Sequence, residues 1–370
     1  MLRTWRLDQT VDLQSMQAEW EAVRKSTGGS IFTSFDWAIE WLRHFDKVAS
    51  PRVVFVEEYG QVIAIAPFVL TEQKSMGLRL KKLSLIGNGA GVAELYELGL
   101  LVDENREDVL ERIVEEMDKI EWNVLHLNEM SDGAVAQSLY RKVAERWETD
   151  ELVHTPCPVI DIPPEGDVME VLSSRTKRSL RKISNGLEAE SRIRYRCVDL
   201  PKEAEEAVSM YTLQHLARWE DKGGSIFSSE NLSSFLKQVM TATVAEGRGM
   251  IYEVWIDGSL ASQMLCLEDG DIMRAYRVGM SNKFSEFSPG NLVSLYALTE
   301  AQKAGFTKFD FGAGPEEYKY RFGARDVPLL RIQAKRGTVR AMSKITSLPV
   351  VKQLVDRSGV KDQALKAMHE

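Results

Sequence analysis

The heptapeptide Gly28-Gly29-Ser30-Ile31-Phe32-Thr33-Ser34 returns 195 positions later as Gly223-Gly224-Ser225-Ile226-Phe227-Ser228-Ser229. A chain of 370 residues is comfortable as two domains, and a repeat at that distance narrows the choice to two copies of one unit. Each copy follows a helical stretch carrying a tryptophan, Trp20 or Trp219, and precedes another, 35–45 or 231–245. A hairpin pattern comes next in both halves. Runs 52–59 and 61–70 flank Gly60, and runs 250–256 and 259–267 flank Asp257-Gly258, a dipeptide that favours tight hairpin turns.

Both halves then carry a helix and a short strand. Val109, Leu110, Ile113, Val114 and Met117 have helical spacing ahead of a strand at 122–127. Leu292, Leu295, Tyr296 and Thr299 do the same ahead of 306–311. The order helix, helix, hairpin, helix, strand therefore occurs twice, with a boundary in the proline-containing stretch 155–164. This predicts domains at 1–155 and 156–335, followed by a basic helical tail at 336–370.

Charge narrows the partners. The net charge is −8, yet 172–196 holds eight basic residues against two acidic ones, and the tail from Arg331 holds nine against three. An acidic body repels a long nucleic-acid backbone, so DNA binding is not expected. The two basic stretches could hold a phosphorylated ligand, touch an anionic membrane surface or be solvated helix faces; for the tail, docking on the protein itself is preferred to peripheral membrane contact. The longest apolar run, 62–70, is too short to span a bilayer and contains Pro67. Arg3, Arg6 and Asp8 stand where a signal peptide needs apolar residues. Cys157, Cys197 and Cys266 are odd in number and far apart, suiting a reducing cytoplasm and small buried roles. No metal is expected.

Chemistry concentrates in the second half. Ser288-Pro289-Gly290-Asn291 opens a helix that Gly305 ends, after a strand at 272–278. With Ser288 as N-cap, the free amides of Gly290, Asn291 and Leu292 form an anion site, and Gly290 lets a ligand approach. In Phe309-Asp310-Phe311-Gly312, Asp310 ends a strand, where it serves as a working carboxylate or braces the glycine loop. In Tyr318-Lys319-Tyr320-Arg321-Phe322-Gly323, Lys319 stabilises an oxyanion or packs its stem on tyrosines.

These motifs together resemble the double GNAT-type acyltransferases, which include the Fem peptidyltransferases and the CelD/BcsL-type acetyltransferases, the latter most closely. The resemblance runs from about Glu19 to Gly323. It rests on Phe32-Thr33-Ser34-Phe35-Asp36-Trp37 with Trp41, Ile65-Ala66-Pro67-Phe68, Arg178-Ser179-Leu180-Arg181-Lys182, His215-x-x-Arg218-Trp219, Ser288-Pro289-Gly290-Asn291-Leu292, and Phe309-Asp310-Phe311-Gly312 with Tyr318-Lys319-x-x-Phe322-Gly323.

It implies an α/β (mixed α+β) class: tandem GNAT folds, each a mixed, mainly antiparallel sheet flanked by helices. The donor, acyl-CoA and first of all acetyl-CoA, belongs to the second domain at Ser288, Gly290, Asn291 and Leu292. The first domain is a donor-free copy on the acceptor side: Gly87-Asn88-Gly89-Ala90-Gly91 lacks dinucleotide spacing. The implied catalytic groups are Lys319 at the tetrahedral intermediate, and Asp310 or His215 as base, with a bound water the alternative. Arg218, Trp219, Tyr276 and Tyr318 are acceptor-side liners, although Trp219 also suits a core. The expected reaction is direct transfer of a short acyl group to an amino or hydroxyl group of a sugar or cell-envelope precursor, by a cytoplasmic monomer or homodimer. Two alternatives stay open: an aminoacyl-tRNA-dependent peptidyltransferase of Fem type, with tRNA as partner, and a non-catalytic binding module of the same fold.

Overall fold

The structure is a computed structural model that describes residues 1–75, 78–88, 97–220 and 224–337. The described residues divide into two units, Met1–Thr155 together with 329–337, and Pro156–Pro328. In the first, β1 (Leu2–Leu7) leads through α1 (Thr10–Leu13), α2 (Gln17–Ser26) and α3 (Phe35–Phe45) to β2 (Ala49–Glu58), β3 (Gln61–Ser75) and β4 (Leu78–Leu85). Next come α4 (Glu107–Lys119), β5 (Val124–Ser131), α5 (Ala134–Arg146), β6 (Glu148–Thr149) and β7 (Val153–Thr155).

Local sequence accounts for most of this. Ser34 caps α3 by accepting from the Trp37 amide, and the Trp20 indole pins the preceding turn by donating to the Thr33 carbonyl at 2.9 Å. The β2–β3 turn places Tyr59 and Gly60 at φ 51° and 82°, the left-handed pair that a two-residue hairpin turn demands. The predicted stripe of α4 is its buried face, Val109, Leu110, Ile113, Val114 and Met117.

The second unit begins with β8 (Pro158–Asp161), α6 (Ser174–Ala189), β9 (Ile193–Val198), α7 (Pro201–Trp219) and α8 (Glu230–Ala245). It continues with β10 (Gly249–Ile256), β11 (Ser259–Asp269), β12 (Ile272–Met280), α9 (Pro289–Lys303), β13 (Lys308–Asp310), α10 (Glu317–Arg321) and β14 (Arg325–Asp326). Asp257 and Gly258 turn the β10–β11 hairpin at φ 50° and 71°. Leu180 and Leu187 of α6 share one apolar core with Leu292, Val293 and Ala297 of α9 and with alternate residues of β10–β12. α7 meets the opposite residues, since the Ala207 carbonyl accepts from Gln263 and the ring of Tyr211 lies against Gly279.

The last described strand, β15 (Leu329–Lys335), pairs with β5, β6 and β7 and so belongs to the first sheet. This corrects the expected second domain of 156–335: β15 takes the place beside β5 that β8 takes beside β13. Its alternate Leu330, Ile332 and Ala334 are fully buried there. The tail from 338 and the glycine-rich residues 89–91 lie outside the described residues. Cys157 and Cys266 are buried and Cys197 half-buried, all free, and burial pushes the Cys197 thiol up to about 11.

Candidate functional site

The parallel pair β12·β13 is short. It holds from Ile272↔Lys308 through Met273↔Phe309 to Arg274↔Asp310, after which the Phe311 amide turns to the Pro158 carbonyl and β12 runs on without it. Just past the parting, the β11·β12 ladder slips: Leu265 faces Arg277 while Cys266 faces Ala275, leaving Tyr276 as an extra, bulged residue. Before the bulge, Met273 and Ala275 face the core shared with α9. After it, Val278 and Met280 do, and Arg277 and Gly279 turn to the α7 side. The bulge therefore puts neighbours Tyr276 and Arg277 on one face, with the guanidinium 4.5 Å over the tyrosine ring.

Other predicted residues are linked to these two through His215, on which the charges of Arg277 and Arg218 both act. On α7, His215 stacks on Trp219 at 5.8 Å and meets Phe227 edge-on at 4.9 Å, and its Nδ1 lies 2.8 Å from Ser225 Oγ, inside the repeated heptapeptide. Trp219 is 38% exposed, which removes the core alternative for it. Burial holds His215 below the usual imidazole range, and Arg277 and Arg218 lower it further. Burial pushes the Tyr211 phenol up, with the same two arginines opposing. Tyr276 is raised by burial against Arg277, and Tyr318 is raised to about 12 by burial and Glu316 against Arg218. Both arginines thus act on one set of rings. Arg218 Nε and Arg277 Nε and Nη2 are closed to water with no acceptor among the described residues. Gln214 Oε1 is also unpartnered, its amide nitrogen donating to the Leu260 carbonyl at 2.9 Å.

Asp310 and Lys319 form a separate arrangement around Gly312. Asp310 is 1% exposed, and both its oxygens are engaged: Oδ2 accepts from Arg274 Nη1 at 2.6 Å, and Oδ1 from the Gly312 amide at 2.7 Å and from Cys157 at 3.2 Å. Arg274 also donates to Asp269 at 2.7 Å. This is the bracing role among the two that the sequence allowed. Lys319 Nζ donates to the carbonyls of Gly312, Ala313 and Gly314 at 2.9, 3.1 and 3.2 Å and pairs with Glu316 at 2.8 Å. Three N–H groups thus serve four acceptors, and the ammonium clamps the loop that follows β13.

The start of α9 departs from expectation. Ser288 sits at φ 50° without a side-chain cap, and its carbonyl takes the amides of Asn291 and Leu292 at 2.9 and 3.2 Å, so two of the three expected anion donors are already used. Gly290 is buried, and a Cβ there would stand 2.6 Å from the Met280 methyl. The glycine serves helix–strand packing, and Leu292 is core. This helix start packs on the face of β12 opposite His215 and Arg277.

Arg277 was missed from sequence although a signal existed. The apolar positions 273, 275, 278 and 280 step by two, three and two, and a step of three in a strand marks a bulge. Among the described residues no group of three His, Cys, Asp or Glu could hold a metal, and no helix is long and apolar enough to cross a membrane.

Residues 174–320, which include the bulge and both arginines, match the model of the acetyltransferase (GNAT) domain. No curated protein sequence matches the chain. Solved structures do. FemX superposes with a TM-score of 0.63 at 12% identity, over 92% of this chain and 99% of its own. A tandem GNAT protein from the clavulanic acid biosynthesis pathway gives 0.54 at 13%, over 91% and 99%. L-PGS from Bacillus licheniformis gives 0.52 at 14%, over 92% and 96%. At such identities the likeness speaks to the fold, and the chain has the tandem GNAT fold, two mixed sheets flanked by helices.

Proposed function

We propose that the second unit is an acyltransferase that moves an acetyl or other short acyl group from acyl-CoA directly to an amino or hydroxyl group. The observation that carries this is the parting of β12 from β13 beside the bulge at Tyr276, within the segment that matches the acetyltransferase domain. An open strand edge accepts an extended, amide-bearing chain by main-chain hydrogen bonds, and a bulge leaves backbone groups unpaired to face a developing oxyanion.

His215 is the better base of the two expected, because Asp310 is consumed by Arg274, Gly312 and Cys157. With its pKa lowered, the imidazole is neutral at pH 7. In the tautomer that donates Nδ1–H to Ser225, Nε2 carries the lone pair. The acceptor nitrogen or oxygen attacks the thioester carbonyl carbon and gives its proton to Nε2. The C–S bond breaks, and coenzyme A leaves as a thiolate that solvent protonates. Lys319 keeps the loop after β13 in place, and Arg218, Trp219, Tyr276 and Tyr318 line the acceptor side. The CelD/BcsL-type motifs direct the acceptor to a sugar or cell-envelope precursor, acted on in the cytoplasm.

One observation favours aminoacyl-tRNA as donor instead. Arg175, Arg178 and Lys182 form an exposed row on α6 with no ion pair among the described residues, whereas Lys177 and Arg181 pair with Glu170 and Asp167. Calorimetric titration with acetyl-CoA separates the two. Micromolar binding supports the acyl-CoA donor. Absent binding, with salt-dependent tRNA binding that fails when Arg175, Arg178 and Lys182 become Gln, replaces it with the second. If neither donor binds, the reading that remains is a binding module without catalysis.

A further inference from the structure

We infer that Arg218 and Arg277 hold an anionic group, a carboxylate or a phosphate, on the acceptor of the proposed transfer, an assignment that rests on that reading of the site. The balance of charge carries it. Arg274, two strand positions before the bulge, is buried and answered by two carboxylates, Asp269 at 2.7 Å and Asp310 at 2.6 Å. Arg277 and Arg218 have no ion pair among the described residues, and three of their N–H-bearing nitrogens are closed to water without an acceptor. The carboxylate that acts on neighbouring Tyr318, Glu316, is engaged by Lys319. Two guanidiniums therefore act on the same tyrosine and histidine, Tyr211 and His215, with no ion-paired carboxylate among the described residues to answer them. Folded proteins bury such groups at a cost unless a partner completes them.

The fold goes to some length to keep this arrangement. A regular β12 would turn Arg277 into the apolar core with α9, and the bulge returns it to the α7 face. Gly279 lets the Tyr211 ring close on the strand beside it, since a Cβ there would meet that ring at 2.8 Å. Both residues are half-buried and not sealed in the core. The anion belongs to the acceptor because the charges of both arginines act on His215, the base of the proposed transfer, while the α9 start packs on the opposite face of β12.

The test is thermal melting of the full chain in chloride, inorganic phosphate or acetate at matched ionic strength, with Arg218→Met and Arg277→Met beside the wild type. The expected result is a rise of roughly 2–4 °C with at least one of phosphate and acetate, absent in both variants. In chloride, Arg277→Met should melt no lower than wild type, because it removes an unanswered buried cation. A response to phosphate alone or to acetate alone names the group. No anion response, or one that both variants keep, overturns the site. Calorimetry with acetyl-CoA then assigns the source: an affinity within about threefold of wild type in Arg277→Met supports the acceptor, and a loss beyond about tenfold overturns it in favour of the donor. If acetyl-CoA fails to bind the wild type while the anion response follows the arginines, the donor proposal falls and the anion site stands.

Discussion

The two units build the same parallel pair and part company at its third rung. In the first, β4 and β5 meet through Lys82↔Val124, Leu83↔Leu125 and Ser84↔His126. In the second, the equivalent rung is Arg274↔Asp310, a buried ion pair. The ladder beside it differs as well: β3·β4 runs without a slip from Phe68↔Leu85 to Ser75↔Leu78, whereas β11·β12 is bulged at Tyr276. The repeated turn diverges in the same sense. Trp20 is fully buried and hydrogen-bonded to the turn, while Trp219 is exposed and stacked on a histidine. Duplication has kept the local code for helices, turns and hairpins, and one copy has spent its freedom on charged and unpaired groups around β12.

Ending the chain at Pro328 should break the comparison hardest. It removes from the first sheet Leu329, Leu330, Ile332 and Ala334, all 0% exposed. At about 1.5–3 kcal/mol per large side chain the loss matches a whole domain's stability. Hydrogen exchange should show the first unit unprotected and the second still protected. Next, Arg274→Leu strands Asp310 in the interior and should destabilise the second unit by about 3–5 kcal/mol in denaturant titration. Ser84→Ala, at the matching rung, removes a buried hydroxyl without a partner and should be close to neutral.

His215→Ala should lower kcat by roughly 10²-fold or more, as expected for loss of a general base. The wild-type rate should fall with decreasing pH below 6.5, because protonation removes the lone pair and the His215 pKa lies under that value. The acid limb should vanish in the variant; a limb that persists would move the base elsewhere. Smallest of all, Trp20→Phe should cost about 1–3 kcal/mol by leaving the buried Thr33 carbonyl unanswered, and Trp219→Phe under about 0.5 kcal/mol. Equal costs would mean that the two turns are not as different as they look.

Legibility followed the range of the interaction involved. The α4 stripe, the Asp257-Gly258 turn and the span of α3 rest on contacts a few residues apart, and the structure has each of them. Pro289 at the first position of α9 and Gly305 after its end were equally plain. β1, β4 and β9 went unread, being short runs mixed with arginine and lysine. Roles at the site were less legible than positions. His215 stacks on Trp219, but what Asp310 and Lys319 do depends on Arg274 and on carbonyls of a loop, which no spacing announces.

The sequence by itself determined the duplication and the helix and hairpin content, because these follow from periodicity and turn residues acting locally. Tertiary structure alone decided that β15 completes the first sheet, that Gly290 packs on Met280, and that a bulge moves Arg277 off the core face of β12. Each of those depends on which distant strand or side chain fills a given space. A one-residue slip in a single ladder is enough to move a charge from one face of a sheet to the other.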